Sequence, residues 1–145
     1  MKKVVISAKG SLQPAIRKWA DFWQQRNCQV LNWPRPIAKK DFSKKWPSIH
    51  QDFYKSLIKT DILFVANEDF KNQKGYIGNG VFAEIAFSAG LNLTQKKKIE
   101  IILLQKPDKK NKFFEDLDSW RKLGWLRILT FSNSRPRRAG ARLRK

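Results

Sequence analysis

The feature that most constrains the fold is Ile62-Leu63-Phe64-Val65-Ala66, an apolar run with Asp61 before it and Asn67 after it. Five residues are too few for an amphipathic helix, and successive side chains of a strand point to opposite faces. A strand that is apolar on both faces needs cover on both. That is the condition of an inner strand in a parallel sheet sandwiched between helices. No longer apolar run exists in the chain, against the roughly 20 residues that a membrane-spanning helix needs, so no membrane partner is expected.

The other elements alternate around that strand. Val4-Val5-Ile6 is a β-branched run that gives way to Ser7-Ala8-Lys9-Gly10, a strand followed by a turn. Ser11 is placed to cap a helix whose apolar stripe is Leu12, Ile16, Trp19 and Trp23, with Pro14 in the tolerant first turn. Residues 29–32 read as a second strand, which Trp33-Pro34-Arg35-Pro36 stops; Trp46-Pro47 closes the same irregular stretch. A helix is expected from Ser48 or His50 to about Lys59, a polar, glycine-bearing loop over 67–79 and a helix over 80–92. A strand over 99–104, a helix over 112–123 and a last strand over 125–131 complete the pattern. Five strands alternating with four helices predict an α/β fold: a single-domain, doubly wound, five-stranded parallel sheet, flavodoxin-like or Rossmann-like, with helices on both faces. Ligands of such sheets sit at the carboxyl ends of the strands, which nominates 7–11, 33–47 and 67–80.

Length and charge set the remaining bounds. At about 150 residues per domain, 145 residues make one domain, assigned to 1–131. The net charge is +19, and 135–145 holds six cations and no acid, leaving +13 on 1–134. Residues 132–145 are therefore expected to form a basic, disordered arm, and nucleic acid is a partner that such an arm allows. Lys39-Lys40, Lys44-Lys45, Lys96-Lys97-Lys98 and Lys109-Lys110 fall in expected loops, where solvated lysine is the ordinary reading. Cys28 cannot close a disulfide alone, and with His50, the one histidine, it falls short of a structural zinc site. The first residues lack the apolar stretch of a secretory signal. A cytoplasmic protein without metal or cofactor is the expectation.

The most informative segment is Gly75-Tyr76-Ile77-Gly78-Asn79-Gly80-Val81-Phe82-Ala83-Glu84. Its glycines let backbone amides approach a ligand just ahead of a helix, which Asn79 is placed to cap. Glu84 is the one acid between Asp69 and Glu100, in an otherwise apolar helix. An acid in that setting is either paired with a lysine at the rim or takes part in chemistry.

The pattern Asp61-Ile62-Leu63-Phe64-Val65-Ala66-Asn67, a glycine-rich loop, and then Gly80 four residues before Glu84 and a small-residue helix resembles the nucleoside 2-deoxyribosyltransferase family. That family includes deoxynucleoside-monophosphate N-glycosidases, and the resemblance spans roughly residues 3–130. It implies that Glu84 is a nucleophile, that the substrate is a (deoxy)nucleoside or its 5′-monophosphate, and that the chain assembles as a homo-oligomer. A helix N-terminus would keep such a glutamate ionised against the effect of burial. Many transferases of the family carry an aspartate where this chain has Gly78. A second family acid maps onto Asp52 with a slip of one residue, and Asp52 equally suits the positive end of its own helix.

Beside Glu84 and Asp52 as catalytic candidates, Ser7, Lys9, Gly10, Asn67, Gly78, Asn79 and Gly80 are candidates for holding substrate. Ser7, Lys9, Gly10 and Ser11 lie where a first strand meets its helix, a place either for a sugar 5′ group or phosphate or for a plain turn. Trp33 and Trp46 either stack on a base or plug the core, and Glu68 and Asp69 either protonate a leaving base or sit in solvent. His50 has no nucleophile partner by spacing. The competing functional readings are a nucleotide-binding module without chemistry and a basic nucleic-acid-binding protein.

Overall fold

The computed structural model describes residues 1–130. In chain order it contains β1 (Lys2–Ser7), α1 (Gln13–Gln24), β2 (Cys28–Asn32), a 3-10 turn (Lys39–Asp41), α2 (Phe42–Lys59), β3 (Ile62–Val65), α3 (Asn79–Gln95), β4 (Glu100–Leu103), α4 (Phe114–Lys122) and β5 (Arg127–Ile128). The five strands form one parallel sheet in the order β2-β1-β3-β4-β5, the flavodoxin-like arrangement expected from the alternation of elements. The basic arm assigned to 132–145 lies outside the described residues. No helix among the described residues is long and apolar enough to cross a membrane.

Strand parity divides the core in two. Val4 and Ile6 of β1, Ile62 and Phe64 of β3 and Ile102 of β4 face α1, where they pack on Ile16, Trp19 and Trp23. Val5, Leu63, Val65, Ile101 and Leu103 point the other way, onto Phe53 and Leu57 of α2, Ile85 and Ala89 of α3 and Leu117 of α4. The run that opened the sequence, from Ile62 to Ala66, is buried along its whole length. At about 25 cal/mol per Å² of apolar surface, these two layers supply the main stabilisation of the fold. Parity also puts Ser7 on the same face as Val5, underneath α3.

Several boundaries differ from the sequence expectation for physical reasons. The N-cap of α1 is Leu12, with no side-chain cap, and Ser11 is exposed. The turn is held instead by Gln13, whose Nε2 donates to the carbonyls of Gly10 at 2.6 Å and Pro34 at 3.1 Å. Asn79 is the first residue of α3 rather than its cap; Gly78, in extended conformation, takes the cap position, and its carbonyl accepts from the Phe82 amide. The largest difference is in α2, which starts at Phe42 and carries Pro47 inside it. Trp46-Pro47 thus lies within a helix instead of closing a loop. Proline this near a helix start gives up one backbone bond, and aromatic stacking at four-residue spacing along α2 offsets that loss.

Candidate functional site

The sheet order creates a crevice without any further device. The chain leaves β1 toward β2 on one side, and leaves β3 toward β4 on the other, so the connections diverge above the β1–β3 pair. A cleft of about 340 Å³ opens there. Its walls come from Ala8, Lys9 and Gly10 after β1, from Pro34, Arg35 and Ile37 after β2, and from Trp46, Ile49, His50 and Phe53 of α2. Tyr76 and the first turn of α3, from Gly78 to Val81, close the remaining side, and Glu84 contributes its carboxyl. Among the described residues it is the one carboxylate lining this cleft.

Glu84 occupies the second turn of α3 and is partly buried. Ser7, fully buried at the end of β1, donates its hydroxyl to Glu84 Oε1 at 2.5 Å. Burial pushes the Glu84 carboxyl up to about 7, and the Ser7 hydrogen bond opposes that rise. The carboxyl thus stands above the ordinary carboxylate range, whereas the start of α3 had led one to expect it to stay ionised; burial exceeds the Ser7 hydrogen bond. Near neutral pH the group exists in both protonation states. The neighbouring Tyr54 phenol is pushed up in turn, first by burial and then by the charge on Glu84.

The structure brings Lys9, Gly10, Gly78, Asn79 and Gly80 to the same cleft as Glu84, with Ser7 directly beneath. A Cβ at Gly80 would meet nothing within 4 Å, so the backbone there is open to an incoming ligand. Asn67 is placed elsewhere. Its amide nitrogen donates to the carbonyls of Gly75 at 3.2 Å and Gln105 at 2.8 Å, and its oxygen accepts from the Gln105 amide. Asn67 thus staples the loop after β3 to the loop after β4 and is not among the residues that line the cleft.

Asp52 is also corrected. It is exposed midway along α2, in a groove with Leu31, Lys55, Ser56 and Lys59, and does not line the cleft. Because α2 begins at Phe42, Asp52 does not sit at the helix's positive end either. Glu68 accepts from Trp19 Nε1 at 2.7 Å and pairs with Lys18, while Asp69 accepts from the Gly75 amide and Gln105 Nε2. Both acids thus organise the loop. Trp33 lies outside the cleft, beside α1, under the Arg35 guanidinium.

Sequence reading missed the wall that α2 provides. Phe42, Trp46, His50 and Tyr54 form a column of rings, with centroid separations of 5.8, 4.3 and 4.4 Å, and Tyr54 stacks on Phe87 of α3 at 4.6 Å. The signal was present as aromatic residues four apart, which share one helix face. Pro47 concealed it by suggesting that the helix had not yet begun. Among the described residues no cluster of three or more His, Cys, Asp or Glu side chains is arranged to hold a metal ion.

Compared with family models and with curated proteins, the chain gives no match to either.

Proposed function

We propose that this protein cleaves or transfers the N-glycosidic bond of a (deoxy)nucleoside or nucleoside 5′-monophosphate, with Glu84 as the nucleophile. The observation that carries this reading is a single carboxylate, half-withdrawn from water and held by Ser7, at the switch-point crevice of the sheet. Ser7 engages Oε1, which leaves Oε2 as the attacking oxygen. The bond from the anomeric carbon to the base nitrogen breaks, and its electron pair leaves with the base, which takes up a proton. The carboxylate stabilises the oxocarbenium character that develops and closes a glycosyl ester. Water or a second base then attacks the anomeric carbon and releases Glu84. Lys9 and Arg35 at the cleft wall suit a 5′-phosphate, and His50 and Tyr76 are proton-carrying groups on the same wall.

Because the ionised form attacks, turnover should rise with pH through about 7 and level off above it. The test is base release from a mixed pool of nucleosides and nucleoside monophosphates, followed by intact mass after incubation with 2-fluoro sugar analogues. A sugar adduct on Glu84, and a fall of at least roughly 10³-fold in turnover for Glu84→Gln, are expected. Unchanged turnover in Glu84→Gln sinks the reading, as does the absence of base release across the pool.

A further inference from the structure

Phe42, at the outer end of the α2 column, lies outside the cleft, whereas Trp46 stands on its wall. Phe42 is 49% exposed and Trp46 40% exposed, although both are large rings already aligned in a stack. Phe42 is the first residue of α2, and Ala38, four residues earlier, is extended and carries no ring, so the column ends at Phe42. Trp33, 36% exposed, lies after β2 with the Arg35 guanidinium 4.6 Å from its ring centroid. Lys39 and Lys40 of the 3-10 turn and Lys44 and Lys45 of α2, all exposed, lie within three residues of Phe42 in the chain, and Arg35 shares the cleft wall with Trp46. From 35 to 50 the chain has five cations and one acid, Asp41, which is 3.7 Å from Lys45.

We propose that this face binds single-stranded nucleic acid, with unpaired bases continuing the aromatic column at Phe42 and Trp46 and phosphates following the lysines. Exposed rings interleaved with cations match the two surfaces of a single strand, the π-faces of its bases and its charged backbone. A duplex offers the phosphates but keeps its base faces stacked, which would leave Phe42 and Trp46 in water. A second copy of this chain would set one cationic patch against another. Trp46 and His50 belong both to the column and to the cleft wall, so a bound strand would run up to the cleft mouth. Binding requires no turnover and is independent of the role of Glu84.

The experiment is fluorescence anisotropy of a labelled oligo-dT of twelve nucleotides and of a duplex of equal length, titrated with the full chain over a series of salt concentrations. The single strand should bind more tightly than the duplex and quench tryptophan emission. Phe42→Ala with Trp46→Ala should weaken single-strand binding at least about 10-fold without changing the salt slope, and Trp46→Phe should retain most of it. Lys44→Gln with Lys45→Gln should instead flatten the log–log salt slope by about 1.4, the release expected for two phosphate contacts. Circular dichroism establishes that each variant is folded; if the double alanine variant is not, the Trp46→Phe and lysine variants decide. Four results overturn the proposal: equal affinity for duplex and single strand, binding that ignores both sets of substitutions, anionic vesicles bound in preference to the oligonucleotide, or self-association through Trp46 without oligonucleotide binding.

Discussion

At Glu84 two effects of opposite sign meet on one carboxyl, and desolvation exceeds the Ser7 hydrogen bond. This has a thermodynamic consequence. With a folded value of about 7 against an ordinary 4.5, the folded chain holds more protons than the unfolded chain between those values. Stability therefore falls as pH rises through that window and flattens above about 7, by up to roughly 3 kcal/mol in all. Glu84→Gln lacks this slope. Its melting temperature should climb relative to the parent from pH 5 to pH 8 at constant ionic strength; parallel curves for the two proteins would contradict the assignment. Glu84 could be singled out in the sequence because it is an isolated acid in an apolar helix, and Ser7 because it ends a strand. Asn67 and Asp52 could not be judged that way. The partners of Asn67 come from Gly75 and from Gln105, far along the chain, and the position of Asp52 depends on where α2 starts.

Among the elements, the loop between β3 and α3 shows best how local conformation and tertiary packing combine. Gly75 has φ +61°, and a Cβ there would lie 2.8 Å from the Lys106 carbonyl and 2.9 Å from Asn67 Nδ2. Backbone cannot retreat as a flexible side chain can. Gly75→Ala should therefore lose on the order of 1–3 kcal/mol in urea denaturation and loosen the Asn67 staple, whereas Gly80→Ala, with open space around its Cβ, should stay close to the parent. Strand and helix order were readable because short continuous apolar runs alternate with apolar stripes spaced three to four residues apart. Helix ends were less readable: backbone and tertiary partners rather than Ser11 and Asn79 hold the starts of α1 and α3. The α2 column was missed for a related reason, since proline weakens a helix start without forbidding it.

For the whole molecule the dominant quantity is charge. With 31 cations and 12 acids, most lysines and arginines have no carboxylate to pair with. The ion pairs among the described residues, such as Arg127–Glu100 at 2.7 Å and Arg121–Asp118 at 2.8 Å, are local and leave the excess unopposed. Mutual repulsion among those charges works against the compact state and is screened over about 10 Å at 0.1 M salt. The melting temperature should rise between 20 and 300 mM sodium chloride, and a fall would show that surface ion pairs matter more than the net charge. Lys9 and Arg35 on the cleft wall belong to that excess.

The alternation of β1 ties the site to the core more closely than any loop does. Ser7 meets Glu84 only because Val5 and Ser7 share one face of the sheet while Val4 and Ile6 share the other. Sliding β1 by a single residue would set Ile6 against the carboxyl and drive Ser7 among Trp19 and Trp23. The Ser7–Glu84 hydrogen bond and hydrophobic burial are thus read from one register, and an insertion or deletion within this strand costs the protein both at once.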